Sequence, residues 1–221
     1  MLFTTELFDL NYSRLGHALA LYAYPWQILP ELAGHIRAVG ASLPAERFEQ
    51  VGEEIWIAKT ATVAVSAEIT GPCIIDEEAA VRTGAFLRGK VMVGRGAVVG
   101  NSTELKNALL FDGVQVPHYN YVGDSVLGYR AHLGAGAVTS NVKSDRSFVV
   151  IRGGGELIAT GLTKCGAMLG DRVEVGCGCV LNPGVVIGPG AQIYPLSSVR
   201  GYVPGGHIYK AADNMVKRRE F

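Results

Sequence analysis

An all-β fold is predicted for this chain, a single-stranded left-handed parallel β-helix with an N-terminal helical cap. Three observations carry that expectation. Aliphatic residues stand six apart without a slip at Ile57, Val63, Ile69, Ile75, Val81, Leu87, Val93, Val99 and Leu105. Small residues often follow them, as at Val93-Gly94, Val99-Gly100 and Leu133-Gly134. Residues 1–54 lack the count altogether. A period of six is one short strand plus one tight corner, and three such units close one coil of a triangular prism. The leading aliphatic side chain points inward and stacks on its equivalents in neighbouring coils. A β-sandwich would instead alternate with period two.

Taken in order, residues 1–54 read as the cap. Ser13 is placed to cap a helix through Leu15, Ala18, Leu19 and Tyr22, which Pro25 stops. A second helix follows Pro25-Trp26, with Ile28, Leu29, Leu32, Ile36 and Val39 on one face, ending near Gly40. It is expected to cover the end of the solenoid, where open strand edges need protection. Residues 55–203 are the β-helix. The phase slips by one to Leu110, Val116 and Val122, slips again to Leu127 and Leu133, and resumes at Leu169, Val175, Leu181, Ile187, Ile193 and Val199. Residues 140–168 are a loop excursion with a strand near Phe148 to Ile151 and a turn at Gly153-Gly154-Gly155. Long excursions from a regular scaffold usually carry function. Residues 204–221 read as a solvated tail ending in Lys217-Arg218-Arg219.

Composition narrows the classes of function. Twenty basic and twenty acidic residues cancel, so no net field draws the chain to nucleic acid or to a membrane surface. The apolar run Ala18 to Tyr24 is too short to span a bilayer, and no signal-peptide pattern precedes it, so a cytoplasmic location is expected. Cys73, Cys165, Cys177 and Cys179 lack a secreted-scaffold spacing and are expected as free thiols. A zinc site is not expected: His17, His35, His118, His132 and His207 include no close pair, and tetrahedral sites need convergent ligands.

A β-helix has no interior cavity, so its chemistry lies on the outer faces, between subunits or under the loop. The densest polar group sits where the six-count slips: Glu104, Lys106, His118, Tyr119, Asn120, Tyr121 and Asp124. The runs Leu87-Arg88, Asn101 to Asn107, His118-x-x-Tyr121-Val122-Gly123-Asp124 and Leu133 to Asn141 together resemble a known family. That family is the acetyltransferase half of the bifunctional enzymes that make UDP-N-acetylglucosamine. The resemblance covers residues 85–203 or so, and Thr160 to Gly166 is more similar to a shorter nucleotidyltransferase-related branch. No glycine-rich loop carrying Arg and Lys occurs in residues 1–56, so the uridyltransferase half is not expected here.

The resemblance implies acetyl-CoA as co-substrate, an amino-sugar 1-phosphate as acceptor and a homotrimer with sites between subunits. It implies His118 as general base. Arg88, Lys106 and Lys164 would meet phosphate, while Tyr121, His132 and Asn141 would lie against the sugar. Ala135, Cys177 and Pro195 would line the CoA side. The chain departs from the family at His132, where the family has asparagine, and at Cys177 and Pro195, where it has small residues. A module that keeps the fold and binds a sugar nucleotide without catalysis is the alternative.

Overall fold

A computed structural model describes residues 2–153 and 155–218. The chain winds as a left-handed parallel β-helix of about nine turns. Every aliphatic position in the count falls in one of three stacked columns. On the first face Ile57, Ile75, Val93, Leu110, Leu127, Leu169, Ile187 and Val203 pair coil to coil. On the second, Val63, Val81, Val99 and Val116 stack, and Leu133, Val175, Ile193 and Tyr209 continue the column. The third holds Ile69, Leu87, Leu105 and Val122, then Thr139, Leu181 and Val199. The interior side chains of these columns are almost all shielded from solvent, which supplies the main driving force.

Thr139 explains why the count fades near the excursion. It occupies an interior place with no exposure, and its hydroxyl accepts from Gly123 N at 2.9 Å. Each slip has a structural form as well. In the regular coils the third face turns into the first through two residues, such as Gly89-Lys90. In the short coils a single left-handed residue makes that corner, Asn107 at φ 50° and Asp124 at φ 49°. The strands Glu104–Leu110 and Tyr121–Leu127 therefore run unbroken round the vertex. Asparagine and aspartate tolerate this conformation better than most residues.

The cap differs from expectation in three respects. The first expected helix is only Gly16–Leu19, with Tyr22 beyond it, and an unexpected short helix, Thr4–Leu7, precedes it. The second is interrupted: a 3-10 turn Pro25–Ile28 precedes a helix Leu32–Ala41, with Pro30 between them. The longest helix of the cap, Leu32–Ala41, also lies along the first face, against Cys73–Ile75 and Val91–Val93, and not across the end of the solenoid. The end is closed by a strand, Phe48–Gly52, antiparallel to Ile55–Ala58. Phe48 is buried there, and backbone pairing protects an edge more directly than a helix does.

The C-terminal segment is no plain tail. His207–Ala211 joins the second face beside Gln192–Ile193 and turns back on Asn214–Lys217 as a hairpin. Tyr209 fills the column below Ile193, sixteen residues on, so a six-residue count misses it. In the excursion, Val150–Gly153 pairs with Glu156–Ala159, two residues later than the expected strand. Gly154 in its expected turn, and Arg219 in the tail, lie outside the described residues.

Candidate active site

The third face and its two flanking vertices collect most of the expected site residues. The register stacks Thr70, Arg88, Lys106 and Gly123 in one outward row and Phe86, Glu104, Tyr121 and Val138 in the next. Coils lie about 4.8 Å apart, so side chains in a row are neighbours. Arg88 Nη1 meets Glu104 Oε1 at 2.6 Å. Lys106 Nζ meets Asp124 Oδ2 at 3.3 Å. Both cations of the expected phosphate clamp are thus already paired with a carboxylate.

Asp124 is the centre of this region. It is 3 % exposed, and burying a carboxylate is costly unless its oxygens are satisfied. Asn107 Nδ2 donates to Oδ1 at 2.8 Å, and Asn141 Nδ2 donates to Oδ2. The same Asn141 amide approaches Tyr121 Oη at 3.2 Å. Burial, and next the Asp124 carboxylate, push the Tyr121 phenol above its ordinary value, so it stays protonated at neutral pH. Tyr121 folds over Gly123, where an added Cβ would lie 2.4 Å from the phenol oxygen. Only glycine leaves room there.

His118 stands at the other end of this face, on the vertex between the second and third faces. Its ring is exposed, and Nδ1 lies 3.2 Å from Asn101 Oδ1. With the amide oxygen accepting, the proton sits on Nδ1 and leaves Nε2 free. The corner that carries it is pinned from beneath. Buried Asn120 accepts from His118 N at 3.1 Å and donates to Gly134 O and Ala137 O at 2.9 and 3.0 Å.

Down the same vertex come Ala135, Cys177 and the Pro195-Leu196 corner. Gly136 N donates to His118 O, Gly178 N to Ala135 O, and Leu196 N to Cys177 O, at 2.8 to 3.0 Å. The amides of Ala135 and Cys177 take no part in this ladder and donate to no described residue. Both residues are exposed and small. They fit an extended ligand that carries its own amide and carbonyl groups, as acetyl-CoA does, whereas Pro195 has no N–H to offer.

His132 and Lys164 lie apart from these groups. His132 pairs across with Gln115, three residues before His118, and its Nδ1 meets Glu174 Oε2 at 2.9 Å on the second face. Lys164 returns beside Val142 at the far vertex and lines a cavity with Asp124 and Asn107. Sequence reasoning placed Asn120 and Asp124 in the dense polar group without giving them a role, and gave Asn107 none. The signal was present in the two five-residue units, Leu105–Leu109 and Val122–Val126, each of which has one of the left-handed Asn and Asp residues at its centre.

All four cysteines are free thiols, as expected, and burial holds Cys73 and Cys165 up at about 12. No helix among the described residues is long and apolar enough to cross a membrane.

A prism with one polar face, an exposed histidine at one vertex and a buried carboxylate at the other defines a class: β-helix proteins whose ligand sites lie on the outer surface. Residues 69–160 match the family model of the GMPPB C-terminal domain. The chain is 32% identical over 163 residues to the bifunctional sugar-1-phosphate nucleotidylyltransferase/acetyltransferase of Sulfurisphaera tokodaii, covering 66% of this chain and 41% of that protein. It is 32% identical over 158 residues to the uncharacterized acetyltransferase YaiX of Escherichia coli, covering 72% of this chain and 68% of that one. The chain therefore belongs to the hexapeptide-repeat acetyltransferases related to the acetyltransferase region of GlmU. It spans about two fifths of the Sulfurisphaera relative and 26% of GlmU from Methanococcus maripaludis.

Among solved structures, a mutant perosamine N-acetyltransferase from Caulobacter crescentus, in complex with CoA and GDP-perosamine, aligns with TM-score 0.33 and 17% identity, over 75% of this chain and 57% of that one. A mutant of AntD, an N-acyltransferase from Bacillus cereus in complex with dTDP and coenzyme A, aligns with TM-score 0.37 and 18% identity, over 79% and 91%.

Proposed function

We propose that the chain is an acetyl-CoA-dependent N-acetyltransferase acting on the amino group of a hexosamine 1-phosphate such as glucosamine or galactosamine 1-phosphate. The observation that carries this reading is the common vertex of His118, Ala135 and Cys177, flanked by the outward row of Arg88 and Lys106. Acetyl-CoA, when bound, supplies a thioester carbonyl open to attack by an amine. His118 Nε2 takes one proton from that amine as the new C–N bond forms, and returns it to the departing thiolate as the C–S bond breaks. Asn101 holds the tautomer that makes this possible. The unengaged amides of Ala135 and Cys177 are suited to stabilise charge developing on the carbonyl oxygen.

Arg88 and Lys106 meet the sugar phosphate while Glu104 and Asp124 keep them extended and in register. Tyr121 and Asn141 meet sugar hydroxyls, and Lys164 adds positive charge from the far vertex. His132, held by Glu174, meets the substrate of a neighbouring copy if three chains assemble around a common axis. That assembly belongs to the proposal, as does a cytoplasmic location.

Thiol release measured with acetyl-CoA and each hexosamine 1-phosphate tests the reading, with His118→Ala as control. Turnover by the wild type, reduced about 10²–10⁴-fold in the variant, supports it. No turnover by folded wild type on either sugar favours the non-catalytic binding module.

A further inference from the structure

A cavity of about 280 Å³ lies where the helical cap, the short-coil vertex and the excursion meet. It is lined by Leu29 and Pro30 of the cap, Phe148 and Lys164 of the excursion, and Lys90, Asn107 and Asp124 of successive corners, the Asp124 carboxylate being already held by Lys106, Asn107 and Asn141. Three features single it out.

The first is an unpaired acceptor. Asn107 is 8 % exposed, and its Oδ1 has no hydrogen-bond donor among the described residues. The amide cannot be turned round to relieve this, because its nitrogen donates to the Asp124 carboxylate at 2.8 Å and a carboxylate only accepts. A buried carbonyl of this kind is normally satisfied by a ligand or a water.

The second is a pair of uncommitted cations. Lys90 and Lys164 form no ion pair with any described residue, whereas Arg88 and Lys106 on the adjoining face each have a carboxylate. The third is the aromatic wall. Phe148 is 60% exposed beside Leu29 and Pro30, a flat apolar surface next to the lysines.

An acceptor for N–H, an aromatic face and two free ammonium groups are together the chemistry of a nucleotide site. The base stacks on the ring and donates to the carbonyl, and the phosphates meet the cations. The cavity is near the lower limit of small-molecule sites, roughly 300 Å³, which suits a base and ribose with the phosphates at its mouth.

Its distance from His118 gives the second half of the argument. Asp124 lies six steps along the chain from His118, so at about 3.3 Å per extended residue, with one left-handed corner at Tyr119, the span is on the order of 15 Å. One sugar ring with one phosphate is too short to reach from the base to the cavity. A sugar joined through a diphosphate to a nucleoside is long enough, with its diphosphate running from Arg88 and Lys106 on the face to Lys90 and Lys164 at the cavity mouth.

We propose that this cavity binds the nucleoside of a nucleotide-linked amino sugar, so that the face accepts a nucleoside diphosphate amino sugar as well as the free sugar 1-phosphate, which does not reach the cavity. The proposal deepens the acetyl-transfer reading of the same face and rests on it for the identity of the sugar.

Calorimetric titration of the full chain with UDP, GDP, CDP and dTDP, and separately with glucosamine 1-phosphate, tests it. One of the diphosphates is expected to bind, about ten- to a hundredfold more weakly to Phe148→Ala. Its binding to Lys90→Ala is expected to fall about tenfold, with glucosamine 1-phosphate affinity unchanged in both variants. Both substitutions are at exposed positions, and a thermal melt establishes that each variant is folded. Failure of all four diphosphates to bind, or equal binding by wild type and both variants, overturns the proposal. A diphosphate that binds through Phe148 and Lys90, with no thiol release on any amino sugar, upholds the cavity and removes the acetyl-transfer reading instead.

Discussion

The coils from Ile57 to Leu105 and the two that follow share the same three buried columns yet have different vertices. In the regular coils two residues turn the third face into the first, and one of them is a glycine, as in Gly71-Pro72 and Gly89-Lys90. In the short coils one residue does so, and it is a buried Asn107 or Asp124 bonded to its neighbours. Deleting a single residue from the repeat thus replaces a glycine corner with an internal polar junction. The interior does not register the change, because Leu105 to Val122 and Leu110 to Leu127 remain paired. Regularity builds the scaffold, and its loss creates a place where a carboxylate can be buried and used.

This contrast can be broken most forcefully at the junction itself. Asp124→Ala leaves Lys106, Asn107 and Asn141 without their common acceptor, and is expected to cost about 3–5 kcal/mol in urea unfolding. A loss below about 1 kcal/mol would mean the junction is ornamental to the fold. In the regular region the corresponding cost lies in the column. Leu87→Ala is expected to destabilise by about 3 kcal/mol through the cavity it leaves, while nucleotide and sugar affinities stay as they were.

A smaller effect comes from Asp112, on the vertex between the first and second faces of the first short coil. Burial raises its carboxyl from the ordinary 3.8 to about 6. Its contribution to stability is therefore present in full below about pH 4 and is lost as pH rises through 6. Asp112→Asn keeps an acceptor for Arg95 N. It is expected to stabilise the protein by about 1 kcal/mol at pH 7.5, after allowance for partial exposure, and by nothing at pH 3.5. The smallest effect belongs to the exposed pair Arg95 and Glu78, at 2.8 Å. Glu78→Ala is expected to change stability by less than about 1 kcal/mol.

How much of this was legible in the sequence follows the same division. Each aliphatic residue in the six-count proved to occupy an interior column, because burial of one residue per corner is enforced locally by the repeat. Thr139 and Tyr209 escaped the count, since one is polar and the other sits at a sixteen-residue step. The cap was harder to read. Its helices have a helical apolar pattern, but nothing in that pattern says which face of the prism they cover. The strand Phe48–Gly52 alternates too weakly to stand out. His118, Arg88, Lys106 and Tyr121 were visible as a motif, and the register does bring the last three onto one face. The cavity was invisible, because Leu29, Asn107 and Phe148 are brought together only by the fold.

The central claim is that the vertex of His118, Ala135 and Cys177 transfers an acetyl group with His118 as base. Its most direct test is single-turnover thiol release from acetyl-CoA by wild type and His118→Ala, with amino-sugar 1-phosphate or its nucleotide-linked form in excess. The account predicts a loss of about 10²–10⁴-fold in the rate of the chemical step, with CoA affinity and melting temperature unchanged. Equal rates in the two proteins would contradict it.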